Sequence, residues 1–550
     1  MSRPDNFWHA QGATRLEQVF GDRLESCFAL RPRSLHQMLA TAAEQHGARC
    51  ALVCGSERLS FAQLLQASAE LAAGMARAGV QVGDRVALLL GNRIEFVVTL
   101  FAAARLGAIS VPLSVREQAP GLAYMLEHCG AVLLVHEAEL AAVLPAPDAA
   151  PALRERWQVG QGPLAAGSRL YAEQSLAQHT AVAPVHEQDT AVILYTSGTT
   201  GRPKGAMLSH LGIVHSSLHY TQAMGLGPED TTVAAVPLSH VTGLVAMVTT
   251  FVHCGGKMVI MPAFKAADYL ALAAAERVTH SLMVPAMYKL CLMDARFGEH
   301  DLRAWRVGGY GGAPMPVATI VELAGKLPGL ALMNCYGSTE TTSPATLMPP
   351  GQTRAHNDTV GQPLHCVDMR VMDDDGREQP AGSLGELWIK GPNVVSGYWR
   401  NPEATQANIT GGYWRSGDLG TIDALGYVRV MDRKKDMINR GGLKIYTIEV
   451  ENALYEHPAV AECAVVAKPC PVLGERVHAF VSLKPEHTPS DELHEQLRSH
   501  CVSRLSDYKV PESLSLRQTP LPRNANGKLL KREMRDEVAA AFPPVLEKRP

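Results

Sequence analysis

The stretch "YTSGTTGRPKG" (195–205) gathers hydroxyls, glycines and one lysine, with almost nothing able to fill a core. Glycines let the backbone approach phosphate oxygens, hydroxyls and N–H groups donate to them, and a lysine neutralises their charge. Such a loop suits a polyphosphate; the competing reading is a plain Gly/Ser-rich connector. It is not a standard P-loop, which needs Gly-x-x-x-x-Gly-Lys-Ser/Thr, because Gly198 and Gly201 precede Lys204 and a glycine follows it. "YGSTETTS" opens at Tyr336. There Thr339 could touch phosphate and Glu340 could hold the Mg²⁺ that accompanies ATP; alternatively it is a helix N-terminus with an early acid. "GGYGGAPMP" (308–316) holds too many glycines for a strand interior, and suits a flat ring lying on backbone or a turn. "GYWRSGDLG" puts Asp418 in a turn, where a carboxylate could take both ribose hydroxyls or close an Asx-turn.

These stretches need elements to position them, and the first half of the chain supplies alternating ones. "DRVALLL" (84–90) is strand-like, "RIEFVVTLFAAARLG" (93–107) helical and "AISVPL" (108–113) strand-like; "LAYMLEHCG" and "AVLLVH" repeat the scheme. Alternation of this kind predicts parallel sheets with right-handed crossovers. "AVILYTSGTT" then sets the hydroxyl-rich loop beyond a strand's carboxyl end, where open α/β sheets bind ligands. Further units are expected at "TTVAAVPL", "KMVIMP", "WRVGGYGG" and "LALMNCYG", each ending in small residues. Residues 137–187, rich in Ala, Pro and Gln, read as a variable surface connection. Near residue 360 short strands separated by turn signals predict a β-rich subdomain. After "VRVMDRKKD" comes a small α/β unit, with Thr447 as a cap, Val450, Ala453 and Leu454 on one helical face, and strands at "AVAECAVVA" and "RVHAFVSLKP". Asp432 to Asp436, a charged junction with little to bury, sets the expected domains at 1–432 and 433–550.

Composition bounds the rest. At 550 residues the chain predicts two to four domains. It is 46% apolar and 19% charged with net charge −3, so no basic field draws it to nucleic acid or anionic membrane. Eleven cysteines without a Cys-x-x-Cys spacing argue against a disulfide framework or zinc site and for a reducing cytoplasm. "MSRPDNFWHA" lacks an apolar signal core, and charged or glycine interruptions break the longest apolar stretches, so no membrane span is expected. His210, His215 and His219 stand near helical spacing without an acidic ligand, which disfavours a metal site. The basic runs "DRKK" and "KLLKREMR" fit phosphate handling and a solvated helix better than nucleic acid.

Taken in order, "YTSGTTGRPKG", "YGSTE", "GYWRSGDLG", "DRKKDMINRGG" and "PRNANGKLLKREM" resemble the adenylate-forming superfamily of acyl-CoA synthetases, peptide-synthetase adenylation domains and beetle luciferases, over about residues 30–535. The resemblance implies an α/β fold: a large N-terminal domain of two α/β sheet subdomains plus a β subdomain, with a small mobile α/β C-terminal domain. It places Thr196, Ser197, Gly198, Thr199, Thr200, Gly201 and Lys204 around the phosphates of ATP. Gly312, Ala313 and Pro314 would face adenine, with Tyr336 and Gly337 nearby, Thr339 and Glu340 on phosphate and Mg²⁺, and Asp418 and Arg433 on ribose. Lys528 matches the lysine that bridges carboxylate and α-phosphate. Lys435 matches a hinge about which the C-terminal domain rotates, and Gly441 and Gly442 lie in a segment that lines a pantetheine tunnel.

The implied activity is that of an AMP-forming acid:CoA ligase, with ATP, Mg²⁺ and coenzyme A. His240 in "VPLSHVTGL" matches a pocket-gating histidine, and Val241, Gly243, Gly308, Tyr310, Gly311 and Thr341 would line an acyl pocket. Amino-acid-activating relatives carry an aspartate near 239–244 to pair with the substrate ammonium; none stands here, and an unpaired ammonium would be costly. With no cation evident for a second carboxylate, the expected acid is neutral: medium-chain fatty or aryl. Transfer of the acyl group to a carrier protein is the alternative, and a non-catalytic nucleotide- or acyl-binding relative a more distant one. A homodimer stays open.

Overall fold

The computed structural model describes residues 6–10, 12–177, 180–196, 202–523 and 529–541. Short apolar runs become strands: β1 (Arg85–Leu89), β2 (Ile109–Pro112), β3 (Ala131–Glu137), β4 (Glu155–Val159), β5 (Ser168–Leu170), β6 (Thr190–Thr196) and β7 (Lys204–Ser209). They form one sheet in the order β7-β6-β2-β1-β3-β4-β5. Every pairing is parallel except β6 with β7, an antiparallel hairpin that closes the edge. Val86, Ala87, Leu88 and Leu89 of β1 are fully buried, as expected of a strand covered on both faces.

The region expected to be surface connection carries β4 and β5. Trp157 is fully buried and Gln158 nearly so, its amide donating to the Pro163 carbonyl (3.1 Å) and accepting from the Ala165 N–H (2.8 Å). Glu155, Arg156 and Gln158 interrupt the apolar run by which the other strands are recognised, and a satisfied polar side chain lets such a strand add to a sheet.

A second sheet of nine strands includes β8 (His280–Met283), β9 (Val307–Gly311) and β10 (Ala331–Tyr336), parallel neighbours near its middle. The glycines of β9 therefore do lie inside a strand, contrary to the expectation for 308–316. Close approach explains them. A Cβ at Gly311 would stand 2.4 Å from the Cys335 carbonyl oxygen, and at Gly309 3.1 Å from Leu282. Helix α1 (His210–Ala223) follows β7, capped by the Ser209 hydroxyl, which accepts from the Gly212 N–H. Five more strands within residues 368–433 form the expected β-rich sheet.

The chain divides into two compact units: Met1–Arg370 with Trp388–Arg415 and Ile422–Val428, and Val371–Leu387 with Ser416–Thr421 and Arg429–Pro550. The second unit holds β11 (Ile438–Arg440), β12 (Leu443–Ile445), helix α2 (Thr447–Tyr455), β13 (Val460–Cys470), β14 (Gly474–Leu483) and β15 (Ser513–Arg517), in the order β12-β11-β14-β13 with β15 beside β14. Alternate residues build its two apolar layers: Val465, Val477, Ala479 and Val481 on one face, Ala464, Val466 and Phe480 on the other. Val450, Ala453 and Leu454 are buried, as the helical spacing predicts. Thr447 is not the cap but the first helical residue. Asp432 takes the capping role, accepting from the Thr447 N–H and hydroxyl, and is buried, although the charged junction promised little to bury. All eleven cysteines are free, and among the described residues no helix is long and apolar enough to cross a membrane.

Candidate active site

Thr196 ends β6 and pairs with Lys204, which opens β7, so the hydroxyl-rich loop joins two antiparallel strands. The lysine ammonium lies 5.4 Å from the centre of the Tyr398 ring. Of the expected phosphate cradle, Ser197, Gly198, Thr199, Thr200 and Gly201 lie outside the described residues, as does Lys528.

β10 ends at Tyr336 and gives way to turns, not to a helix. Glu340 is 7% exposed. One carboxylate oxygen accepts from the Ser338 hydroxyl at 2.7 Å, the other from the Tyr398 hydroxyl at 3.0 Å; the Thr196 hydroxyl stands 3.5 Å away, at the limit of a hydrogen bond. Burial, then the neighbouring Glu340 charge, push the Tyr398 phenol well above its ordinary value, so it remains a donor. Thr339 is partly exposed, while Thr341 is buried, its hydroxyl donating to the Ser338 carbonyl (3.1 Å) and accepting from the Ser338 N–H (2.9 Å). Thr342 and Ser343 have positive φ (51° and 37°), costly for residues with a Cβ. What holds them is Asn393, whose amide donates to the Thr341 and Pro344 carbonyls at 2.8 and 3.1 Å, and Tyr220, whose hydroxyl lies 2.8 Å from that of Ser343.

Because β9 and β10 run parallel with Gly311 opposite Cys335, the segments leaving their carboxyl ends start side by side. One is Gly312, Ala313 and Pro314, an exposed loop with Gly312 at φ +78°; the other is Gly337 to Glu340. Within β9, Leu332, Leu330 and Tyr288 fill the space beside Gly308, and Tyr310 is buried.

His240 is exposed ahead of the π-helical stretch Thr242–Thr249, and Val241 is buried. A Cβ at Gly243 would collide with the Pro237 carbonyl oxygen at 2.1 Å, so glycine is required there. Asn92 braces the approach to this turn. Its amide donates to the carbonyls of Ala234 (3.3 Å), Val236 (3.0 Å) and Met261 (3.0 Å), and accepts from the Leu238 N–H at 2.9 Å.

In the second unit, Arg433 and Asp418 form an ion pair at 3.1 Å, with Asp418 6% exposed. Asp418 lies within strand Tyr413–Ile422 and not in a turn; the turn signal is Gly417, at φ +69° inside that strand. Lys435 lies in the turn before β11, its carbonyl accepting from Arg535 at 3.4 Å. Gly441 and Gly442 (φ +58° and +92°) make the two-residue turn between β11 and β12.

The sequence matches the family model of the AMP-binding enzymes over residues 39–399 and that of the AMP-binding enzyme C-terminal domain over 449–528. The chain belongs to the AMP-binding enzymes. A feruloyl-CoA synthase from Amycolatopsis sp is 36% identical, the match covering 88% of this chain and 94% of the relative. A fatty acid–[acyl-carrier-protein] ligase, ScoC from Streptomyces coeruleorubidus, is 33% identical over 88% of this chain and 93% of its own. The crystal structure of the anthranilate CoA ligase AuaEII with anthranoyl-AMP superimposes with a TM-score of 0.86 at 26% identity, covering 93% of this chain and 99% of that one.

Members of such a family handle ATP, and a nucleoside triphosphate brings a divalent cation. No group of three or more His, Cys, Asp or Glu among the described residues is placed to hold a metal. Magnesium, however, is commonly held by one or two carboxylates plus substrate phosphates. Glu340 fits that use: a nearly buried carboxylate whose hydrogen-bonding neighbours are hydroxyls and which forms no ion pair among the described residues.

Asn92, Asn393 and Tyr398 are the functional candidates that sequence reasoning missed. Each acts through partners at least 49 residues away, so no local motif announces them.

Proposed function

We propose that this AMP-binding enzyme activates a carboxylic acid with ATP and passes the acyl group to coenzyme A. The observation that best supports it is the pairing of family matches along both parts of the chain with a buried Glu340 that shares the Tyr398 side chain as a neighbour with Lys204. In the first half-reaction a carboxylate oxygen of the acid forms a bond to the α-phosphorus of ATP. The bond to the β-phosphate's bridging oxygen breaks, and pyrophosphate leaves with the electron pair. In the second, the sulfur of coenzyme A bonds to the acyl carbon, AMP leaves, and the thiol proton is released.

The chemistry is mostly positioning and charge neutralisation, since a carboxylate is already a nucleophile and two anions must meet. Lys204 neutralises phosphate charge, Thr339 donates to phosphate, Asp418 and Arg433 take the ribose, and Gly312 to Pro314 give adenine a flat backbone bed. Lys528 bridges carboxylate and α-phosphate, and His240, Val241, Gly243 and Thr341 border the acyl group. Glu340 would hold magnesium, which when bound supplies positive charge to the phosphates. The hinge at Lys435, the division into 1–432 and 433–550 and a cytoplasmic setting belong to the same proposal.

A neutral acid, aryl in the first instance, is the substrate class: the feruloyl and anthranilate relatives bear names of aromatic acids. Loading of a carrier protein is the second reading, favoured by the ScoC relative. Pyrophosphate release measured with and without coenzyme A across aryl, fatty, dicarboxylic and amino acids separates them. Turnover on aryl or fatty acids that requires coenzyme A, with acyl-CoA seen by mass spectrometry, is the expected result. Pyrophosphate release that coenzyme A leaves unchanged would favour the carrier protein, and preference for amino or dicarboxylic acids would overturn the substrate class.

A further inference from the structure

Residues 391–400, "GPNVVSGYWR", belong to none of the phosphate-handling motifs, yet they touch both the lysine strand and the glutamate segment. On one side, the Trp399 N–H donates to the Gly205 carbonyl at 2.7 Å and the Met207 N–H to the Gly397 carbonyl at 3.1 Å, and Tyr398 bridges to Ala206 in antiparallel fashion. On the other, the Val395 N–H donates to the Glu340 carbonyl at 2.9 Å and Asn393 holds the Thr341 and Pro344 carbonyls. Tyr398 itself spans the gap. It is 5% exposed, its hydroxyl lies 3.0 Å from Glu340 Oε1, and the Lys204 ammonium lies 5.4 Å from its ring centre.

An ammonium and a carboxylate that share one tyrosine as a neighbour attract each other. Paired directly, each would be withdrawn from its work, Lys204 from phosphate and Glu340 from a cation. Tyr398 offers each charge another partner: its face attracts the ammonium, and its hydroxyl donates to the carboxylate. We propose that Tyr398 is a positioning residue, its ring face engaging the Lys204 ammonium and its hydroxyl fixing the Glu340 carboxylate toward the cation that accompanies ATP. The inference rests on the reading of Glu340 as the magnesium ligand and adds the residue that sets its orientation.

The test is equilibrium binding of ATP to the full chain across a range of Mg²⁺ concentrations, for wild type, Tyr398→Phe and Glu340→Gln. Tyr398→Phe keeps the ring beneath Lys204 and removes only the hydroxyl. It is expected to raise the Mg²⁺ concentration for half-maximal ATP binding about tenfold or more, the value of one hydrogen bond to a charged group. KM for the acid and for coenzyme A should stay within twofold. Glu340→Gln should raise the same midpoint at least as far. A shift in Glu340→Gln with none in Tyr398→Phe would overturn the inference and leave the Glu340 reading standing. No shift in either would overturn both. Equal loss in the Mg²⁺ midpoint and both KM values for Tyr398→Phe, with a lowered melting temperature, would mark a merely structural tyrosine and also overturn the inference.

Discussion

Gly311 shows how a single residue governs the site from beneath. Its missing Cβ would lie 2.4 Å from the backbone carbonyl oxygen of Cys335, and backbone in a parallel sheet gives way only by moving the strand. At Gly308 the nearest atoms are 3.1–3.2 Å away and belong to the ends of Leu332, Leu330 and Tyr288, which move more easily. Gly311→Ala is therefore expected to cost about 1–3 kcal/mol in urea unfolding and to weaken ATP binding, since Glu340 follows the displaced strand; Gly308→Ala should cost about 1 kcal/mol or less. Equal effects of the two substitutions would refute this. Residues of this kind were partly legible. The glycines of 308–312 stood out by composition, but their reason, the approach of a strand distant in sequence, did not. Lys204, Glu340 and Asp418 stood out because hydroxyls, glycines and a single charge outside an apolar run suit little else. Tyr398 and Asn393 did not, since an aromatic and an amide in "NVVSGYW" read as ordinary core and turn until their partners 58 and 52 residues away are known.

At the scale of elements, strands with unbroken apolar runs were legible and strands with satisfied polar residues were not, which is why β1, β2 and β3 were expected and β4 and β5 were missed. Helix α2 makes the same point at its start. A threonine ahead of an apolar face reads as a cap, but the tertiary structure brings a better acceptor, Asp432, which takes both the N–H and the hydroxyl of Thr447. Lys531 then bridges to Thr447 (2.8 Å) and Glu451 (2.7 Å), tying the last described helix to α2. Burial holds the Asp432 carboxyl above its ordinary value, outweighing the Lys531 charge and the Thr447 and Arg433 donors that favour ionisation. One of its oxygens accepts from the Thr447 N–H, the other from the Thr447 hydroxyl and the Arg433 N–H, so an amide, with a single acceptor oxygen, can replace only part of the cap. Asp432→Ala is expected to remove about 1–2 kcal/mol from α2, seen as faster hydrogen exchange of its first-turn amides, with Asp432→Asn retaining only part of the protection. Unchanged exchange in Asp432→Ala would show that Lys531 alone secures the helix.

For the molecule as a whole, alternating strands and helices made the parallel sheets legible, but no local pattern tells how many histidines the fold buries. Burial is the first cause in each case: it lowers His36, His210 and His253 to about 4 and His219 and His280 to about 3, all in the larger unit. In the smaller unit His478 is lowered to about 4. His215 is lowered well below its ordinary value, with the like charges of His219, Arg31 and His365 adding to its burial. Such groups stay neutral in the fold while the unfolded chain protonates them below about pH 6.5. The unfolded state then binds more protons, so stability is present above that pH and is lost as pH falls toward the folded values. In the larger unit Glu25, raised to about 7 chiefly by burial, opposes the trend by one proton between about pH 7 and 4.5, one group against several histidines; in the smaller unit Asp432 and Glu451, both raised chiefly by burial, act in the same sense. Each net proton contributes about 1.4 kcal/mol per pH unit. Two such protons would therefore exhaust a typical stability of about 5–15 kcal/mol within a few units. The urea midpoint of the larger unit, followed by circular dichroism from pH 7.5 to 4.5, is expected to fall steadily below about pH 6.5. With two lowered histidines, His457 and His478, set against two raised carboxyls, the smaller unit should lose less over the same range. A midpoint that stays level to pH 5 would mean that the buried imidazoles are already charged and paired in the fold, and that the neutral interior inferred for α1 and its surroundings is wrong.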